Sequence, residues 1–290
     1  MKHYSIIYIV ALIAGFIYVG CSDINEDINQ PPALGIHAEG ISNPNSTAFH
    51  GELIAANKYS LKQCQQCHGN NYSGASIGGS NISSCTSCHT GNNGPETCNT
   101  CHGDFADPTR SAPPRALNGS IETTYPGVGA HSKHLYENDL ANNIRCSSCH
   151  TYPQSLNADG HLGDDIKAEI IFGRVSITQG VTPIYNFADN KCSNTYCHGN
   201  FTFRSVSTAD SLRYIYTDSI MVGNNKIVVW NQVDGMQATC GSCHNLPPTG
   251  HFPHTIDNCW NCHSEVIDGD GNIIDQTKHI NGIANIKYLQ

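Results

Sequence analysis

The feature that most constrains this chain is a repeated pattern of cysteine pairs, each followed directly by a histidine. The 290 residues contain 15 cysteines, and 14 of them fall into seven such pairs. Six pairs have two residues between the cysteines: Cys64 and Cys67 before His68, Cys85 and Cys88 before His89, Cys98 and Cys101 before His102, Cys146 and Cys149 before His150, Cys240 and Cys243 before His244, and Cys259 and Cys262 before His263. The fifth pair in chain order, Cys192 and Cys197 before His198, has four. Only Cys21 lies outside the pattern.

A C-x-x-C-H motif is typical of covalent haem attachment. The two thiols add to the vinyl groups of one porphyrin, and the adjacent histidine becomes the proximal ligand of the iron. Zinc sites also use C-x-x-C pairs, but they give no reason for a histidine directly after the second cysteine. Because histidine fills only 16 of the 290 positions, its presence after all seven pairs is not an accident of composition. We therefore expect seven haem c groups, with a local disulfide as the alternative at Cys192 and Cys197.

The candidate distal ligands are the histidines that remain after the seven proximal ones and His3 are set aside. They are His37, His50, His131, His134, His161, His251, His254 and His279. Methionine offers little competition, since Met221 and Met236 are the only ones beyond the N-terminal segment. Seven irons and eight imidazoles predict bis-His coordination with one histidine to spare. The pairing stays open, because some of these histidines are only three residues apart, and His37 lies in a predicted tether.

The N-terminal segment predicts export. Residues 4–19 are apolar after Lys2 and His3, and this run is shorter than the roughly 20 residues of a membrane span, so residues 1–20 suit a signal peptide. The small residues before Cys21 resemble a lipobox, which would lead to lipidation of Cys21. Ordinary cleavage near Gly20 and an uncleaved anchor are the alternatives. Residues 21–49 are polar and contain three prolines, as expected of a tether.

Charge and hydropathy narrow the class of protein further. Removal of residues 1–20 takes away one lysine, which leaves 24 acidic against 14 basic residues and a net charge of −10. This balance disfavours a nucleic-acid partner. Leu, Ile, Val and Phe make up roughly a fifth of the chain, near the level at which a chain struggles to fold alone. We therefore expect the haems to form the core.

The motif spacing predicts one multihaem domain over residues 50–290. Sixteen residues separate His68 from Cys85, eight separate His89 from Cys98, and fourteen separate His244 from Cys259. Such short linkers predict a haem cluster at 64–102, central haems at 146–198 and a C-terminal pair at 240–263.

Regular secondary structure is expected to be sparse, because 27 glycines and many Asn, Ser and Pro residues interrupt the helical period. The predicted fold class is therefore mostly irregular, with short helices after the motifs and one or two small β-hairpins around a haem-packed core. Residues 168–175 are expected to pair with 183–189. A second hairpin is expected at about 211–231, turning at Gly223, as an insertion between the fifth and sixth motifs.

From about residue 50 onward the chain resembles the multihaem cytochromes with mixed C-x-x-x-x-C-H and C-x-x-C-H sites of metal-reducing and related bacteria. The stretches that carry the resemblance are residues 94–103, 129–135, 160–161, 192–199, 247–254 and 279–282. The resemblance implies electron transfer in the periplasm or at the outer surface, and it supports the histidines outside the motifs as distal ligands.

The expected function is electron transfer in the cell envelope, with the chain anchored by lipid. The expected partners are other redox proteins or an extracellular acceptor. One alternative is a multihaem reductase, which would need one iron with an open face, although every motif here ends in histidine. Another alternative is a subunit of a cytochrome filament, in which the spare histidine would bind a neighbour's iron.

Overall fold

A computed structural model of the chain describes residues 37–74, 76–77, 80–107, 109–112, 115–162 and 167–287. The chain divides into two compact units, Met1–Tyr59 and Ser60–Gln290. The predicted signal peptide, Cys21 and the first part of the predicted tether lie outside the described residues. The predicted start of the haem domain at residue 50 stays a prediction.

The described part of the first unit is a series of turns followed by one helix. The backbone amide of Asn43 donates to the carbonyl of Gly40, and that of Ser46 donates to the carbonyl of Asn43, so the chain reverses repeatedly. Helix α1, His50–Ala56, follows. His50 is held at its start, since its backbone amide donates to the carbonyl of Ile41 over 2.8 Å.

The described part of the second unit contains three short α-helices and a larger number of single helical turns. The α-helices are α2 (Lys62–His68), α3 (His131–Leu135) and α4 (Trp260–His263). The 3-10 turns are Cys85–Ser87, Gly94–Glu96, Cys98–Thr100, Cys146–Ser148, Arg174–Gly180, Tyr196–His198, Ser205–Ser207, Asp210–Ile215 and Ile256–Asn258.

Six helical segments coincide with a motif instead of following it, which differs from the position that the sequence predicted. The difference is clearest at Cys67 and Cys262, which lie inside the α-helices α2 and α4. Each of these helices ends at the proximal histidine of its motif. At α2 the reason is Gly69, whose φ of 79° turns the chain out of the helix directly after His68.

The described strands are short and all their pairings are antiparallel. They are β1 (Ser76–Ile77), β2 (Ser80–Asn81), β3 (Ile184–Asn186), β4 (Lys191–Ser193), β5 (Thr202–Arg204), β6 (Ile220–Val222) and β7 (Val228–Val229). Strand β4 lies between β3 and β7, while β1 pairs with β2 and β5 pairs with β6. The prediction of an irregular chain with short helices and small antiparallel sheets is confirmed.

Both predicted hairpins are wrong in their pairing. Residues 174–180 form a helical segment instead of a strand, and Ile184–Asn186 pairs with Lys191–Ser193. The insertion at 211–231 does not fold back on itself. Its strand Ile220–Val222 pairs with Thr202–Arg204, and Val228 pairs with Cys192. The physical reason is that backbone groups of residues 223–226 bond to the fifth and sixth motifs and so cannot close a hairpin turn.

The protein interior is thin. Among the described residues the buried apolar side chains are Leu61, Tyr72, Ala112, Ala116, Val128, Ala141, Tyr196, Ile215, Met221, Val228 and Val266. Several of these are small, and none of the large ones falls below 2% exposure. Within the described residues, no helix has the length and apolar composition needed to span a membrane.

Candidate haem sites

The fourteen motif cysteines are all free thiols. Three of them, Cys88, Cys98 and Cys240, are exposed. The others are half-buried: Cys64, Cys67, Cys85, Cys101, Cys146, Cys149, Cys192, Cys197, Cys243, Cys259 and Cys262. Free, partly accessible thiols are what addition to a porphyrin vinyl group requires, and their role as attachment residues stays a prediction.

Five of the six cysteine pairs with two intervening residues are built on helical turns, whereas the pair Cys240 and Cys243 contains Gly241 at a φ of 83° and lies on no helix. In the fourth motif the amide of Cys149 donates to the carbonyl of Cys146 over 3.1 Å, and the amide of His150 donates to the same carbonyl over 2.9 Å. The second and seventh motifs repeat this pattern. Residues i, i+3 and i+4 of a helical turn lie on one face. The backbone therefore presents both thiols and the imidazole toward the same side.

Cys67 and Cys262 depart from the other second cysteines because they lie within α-helices. In the second, third and fourth motifs the second cysteine comes directly after a 3-10 turn. Cys67 instead belongs to α2, and Cys262 belongs to α4, where its amide donates to the carbonyl of Cys259 over 3.2 Å. The carbonyl of Cys262 accepts the amide of Lys287 over 2.8 Å, so the C-terminal segment is tied to the seventh motif. Both cysteines keep the helical spacing that attachment needs.

The fifth pair, which has four intervening residues, is built on a strand and a turn instead of on one helical turn. Cys192 lies on β4, and Cys197 lies in the turn Tyr196–His198. Between them the chain reverses at Asn194, whose φ is 58°. Cys192 and Cys197 are separate thiols, so the alternative of a local disulfide is not what the structure forms. Burial raises the pKa of each thiol to about 12, which indicates that both side chains point into the protein.

Most of the described histidines have one ring nitrogen held by the backbone. In each case Nδ1 lies 2.5 to 2.9 Å from a carbonyl oxygen, which can only accept, so Nδ1 carries the hydrogen. This arrangement leaves Nε2 as the electron-pair donor and sets the ring orientation, as is usual for histidine ligands. The histidines are His50, His68, His102, His131, His134, His150, His161, His244, His251, His263 and His279.

Three proximal histidines each face one distal candidate across a similar gap. A metal–imidazole bond is about 2 Å long and the ring centroid lies about 1 Å beyond the nitrogen, so two imidazoles on opposite sides of one metal have centroids roughly 6 Å apart. The observed separations match this value. The pairs are His150 with His131 (6.2 Å, planes at 24°), His198 with His134 (6.2 Å, 69°) and His244 with His279 (6.4 Å, 79°).

Two further pairs are indicated by the electrostatic effect of one histidine on another. Burial lowers the pKa of His102, and the neighbouring His161 lowers it further. Burial likewise lowers the pKa of His251, to which the nearby His263 also contributes. In both cases a proximal histidine lies near a distal candidate from another part of the chain.

The buried histidines are held in the neutral form that can bind a metal. Burial lowers the pKa of His131 to about 4 and that of His198 to about 4. Burial also lowers the pKa of His134 and of His279. A neutral imidazole at neutral pH offers its Nε2 electron pair without first losing a proton.

The other predicted ligands form no ring-to-ring pair of this kind among the described residues. His254 packs on Phe252 with centroids 4.4 Å apart, and Phe252 stacks on His251. His89 contacts Phe105 edge-on at 5.3 Å. His37 is exposed and lies with His50 in the first unit.

These residues fit covalently bound haem. Thiol pairs lie beside histidines whose Nε2 atoms are available, and opposing imidazoles lie at the spacing that one metal between them requires. Across the part of the chain that the structure describes, no three His, Cys, Asp or Glu side chains come together as a metal-ion site. The histidines come together in twos instead.

The fifth and sixth motifs are joined directly by backbone contacts. Three backbone amides of the loop 223–226 donate to the two motifs or the residue directly after one of them: Asn224 to the carbonyl of Cys243 (2.9 Å), Asn225 to that of Gly199 (3.0 Å) and Lys226 to that of His198 (2.8 Å). A Cβ on Gly199 would lie 1.8 Å from the Cys243 carbonyl oxygen. The two motifs therefore touch, although 41 residues separate His198 from Cys240.

Sequence reasoning missed three residues that shape these sites. Gly199 permits the close approach just described, and the Asn224 side-chain amide donates to the carbonyls of Gly241 and Ser242. Trp230 packs against both His131 and His134. The only sequence signal for Trp230 was the rarity of tryptophan, since the chain has two.

Comparison with known proteins gives one match. A family described as the Geobacter CxxxxCH...CXXCH motif matches residues 191–244, the segment that contains the fifth and sixth motifs. The match supports a multihaem c-type cytochrome-like family and covalently bound haem c. No curated protein and no solved structure matches the chain.

Proposed function

We propose that this chain is a heptahaem c-type cytochrome, predominantly bis-His ligated and low in potential, that transfers electrons in the cell envelope. The observation that carries the proposal is the set of opposed imidazoles, with ring centroids 6.2 to 6.4 Å apart. When bound, haem c supplies an iron that gains and loses one electron reversibly. Two strong imidazole ligands leave no vacant position for a substrate, which favours electron carriage over catalysis.

The residues proposed to hold the haems follow from the motifs and the pairs. Each cysteine pair anchors one haem, and the histidine after it is the proximal ligand. We propose His131, His134, His161, His251 and His279 as the partners of His150, His198, His102, His263 and His244 respectively. His37, His50 and His254 remain distal candidates on the sequence argument alone.

The protein's part in this function is to hold neutral imidazoles rigidly and away from water. Each Nδ1–H bond to a carbonyl fixes a ring plane and increases the basicity of Nε2. Burial disfavours the imidazolium form of His131 and His198, so these rings remain neutral at neutral pH. A ligand set of this kind changes little in geometry when the charge of the metal changes.

The order of contacts supports an electron path along the chain. His102 lies close enough to His131 to lower its pKa, after the larger effect of burial. His131 and His134 share helix α3 and face the fourth and fifth motifs. Gly199 in turn contacts Cys243 of the sixth motif. The fifth and sixth motifs are thus in contact, and the fourth and fifth motifs are linked through the two histidines of α3.

The purified oxidised protein is expected to show only low-spin ferric signals in electron paramagnetic resonance, at about seven haems per chain. The haem-to-protein ratio is measured on the same sample. A strong high-spin signal from one iron would mean an open coordination position, and reductase activity would then replace electron transfer as the proposed function.

Peptide mapping by mass spectrometry tests the fifth motif. The fragment with Cys192 and Cys197 should carry the mass of one haem, and a bare or disulfide-linked fragment reduces the total to six.

We also propose that the chain is exported and held at a membrane by lipid on Cys21, where it meets other redox proteins or an extracellular acceptor. The support is the sequence before Cys21 and the polar stretch after it. The exported wild type should partition into the detergent phase of a two-phase extraction, and the Cys21→Ser variant should move to the aqueous phase. Equal partitioning of both proteins would contradict lipidation at this residue.

A further inference from the structure

A single indole ring lies against two proposed ligands that belong to different haem sites. Trp230 meets His131 edge-on, with centroids 4.8 Å apart and planes at 89°. The same ring lies 5.6 Å from His134, with planes at 31°. His131 faces the fourth motif and His134 faces the fifth. Trp230 therefore contacts one imidazole from each of two neighbouring pairs.

Trp230 is itself fixed from two sides. Its Nε1–H donates to the carbonyl of Pro126 over 2.8 Å, which ties the ring to the segment before α3. Its backbone amide donates to the carbonyl of Asn190 over 2.7 Å. Trp230 directly follows β7, in which Val228 pairs with Cys192. The ring is thus connected both to the helix that carries the distal histidines and to the strand that carries an attachment thiol.

Close packing leaves the indole little freedom. Gly129 has a φ of 44°, and a Cβ at this position would lie 2.1 Å from the Trp230 Nε1 atom. The absence of a side chain there lets the backbone lie directly against the indole. His131 and His134 are also bound at Nδ1, to the carbonyls of Val128 and Ala130. Each imidazole is therefore held by one hydrogen bond and one aromatic contact.

The two pairs differ in the angle between their ring planes, which is 24° for His131 with His150 and 69° for His134 with His198. This angle governs the anisotropy of a low-spin ferric signal when both imidazoles bind one iron. Because the indole stands perpendicular to one distal ring and tilted to the other, it restricts the rotation of each ring differently.

We infer that Trp230 is a positioning residue that sets the ring planes of His131 and His134 together, so that two adjacent haem sites share one determinant of their electronic properties. The inference rests on the proposed function, since it assumes that both histidines bind iron. It adds to that function a coupling between the fourth and fifth sites that runs through the protein.

The test compares haem-loaded full-length variants by electron paramagnetic resonance and redox titration. We expect Trp230→Ala to shift the low-spin signals of about two irons per chain while the haem-to-protein ratio stays at its wild-type value. Trp230→Phe keeps an aromatic ring between the histidines and should restore most of the wild-type spectrum. Phe187→Ala removes an exposed aromatic ring that contacts Tyr185, and it should leave the spectrum unchanged.

A second variant reaches the same contact without changing the tryptophan. Gly129→Ala should displace the indole and reproduce the shift of Trp230→Ala. Gly119→Ala is its control, because Gly119 also has a positive φ, 81°, but among the described residues no atom beyond its two chain neighbours lies within 4 Å of the added methyl group. A Trp230→Ala spectrum that is unchanged, altered at one iron only, or matched by Phe187→Ala overturns the inference. A wild type without low-spin signals or without its haems would instead overturn the proposed function, before any variant is compared.

Discussion

The mature chain, made in the cytoplasm without haem attachment, is expected to be largely unfolded. The described residues bury few large apolar side chains, and none of the large ones falls below 2% exposure. Side chains such as Val206 and Tyr214 remain 75% and 66% exposed. A folded domain of this size normally depends on a closely packed apolar interior to offset the loss of chain entropy. Without porphyrins, this chain has too little apolar mass to form one.

Far-UV circular dichroism and limited proteolysis measure this effect. The haem-free chain should give the spectrum of a disordered polypeptide and be digested within the time that leaves the exported, haem-loaded protein intact. The two samples share one sequence, so attachment is the variable that separates them. A cooperative unfolding transition in the haem-free chain would contradict the prediction, because it would mean that the polypeptide forms its own core.

Among alanine substitutions of the described glycines, Gly199→Ala is expected to cause the largest loss of folding stability. The added methyl group would lie 1.8 Å from the carbonyl oxygen of Cys243, and the position has a φ of 89°. The left-handed backbone alone costs about 1 to 2 kcal/mol for an alanine. Because the opposing atom belongs to a backbone carbonyl, relief requires the fifth and sixth motifs to separate. We expect the free energy of unfolding to fall by more than about 3 kcal/mol.

The matched control is Gly235→Ala. Gly235 has a φ of 80°, but in the part of the chain that the structure describes no atom beyond its two chain neighbours lies within 4 Å of an added Cβ, so this variant carries the backbone strain without the clash. Denaturant titration of the haem-loaded proteins should place Gly235→Ala about 1 to 2 kcal/mol below the wild type and Gly199→Ala far below both. If the two variants lose stability equally, backbone strain accounts for the whole effect and the contact with Cys243 contributes nothing.

The attachment motifs could be predicted from the sequence because their chemistry is local. Two thiols and one imidazole within five to seven residues are enough to specify a covalent site, and no long-range contact enters the argument. The irregular fold was predictable for a similar reason, since glycine and asparagine interrupt helical periodicity wherever they occur. The helical state of Cys67 and Cys262 was not predicted, because helices were expected to follow the motifs. Gly69 ends α2 directly after His68, so this helix covers the motif itself, and α4 likewise includes Cys262.

The pairing of ligands could not be predicted in this way. His244 and His279 meet across the fold, and so do His134 and His198, because turns and strand pairings far from either residue bring them together. The strand errors have the same origin. Val228 pairs with Cys192 and not with Ile220–Val222, which is nearer in sequence. The reason is that the backbone of residues 223–226, between Val222 and Val228, bonds to the fifth and sixth motifs. Contacts between distant segments depend on the packing of the whole domain, and a local sequence pattern carries no information about that packing.

The loop of residues 223–226 has a consequence for how such a chain can change over time. It returns to the fifth motif and bonds to both Gly199 and Cys243, so the long excursion after His198 is closed at its base. The spacing between the two motifs is then independent of how many residues the excursion contains. The mostly exposed residues 206–211 lie beyond this closure and can therefore gain or lose length and acquire a new surface, while the distance that an electron must cross stays the same.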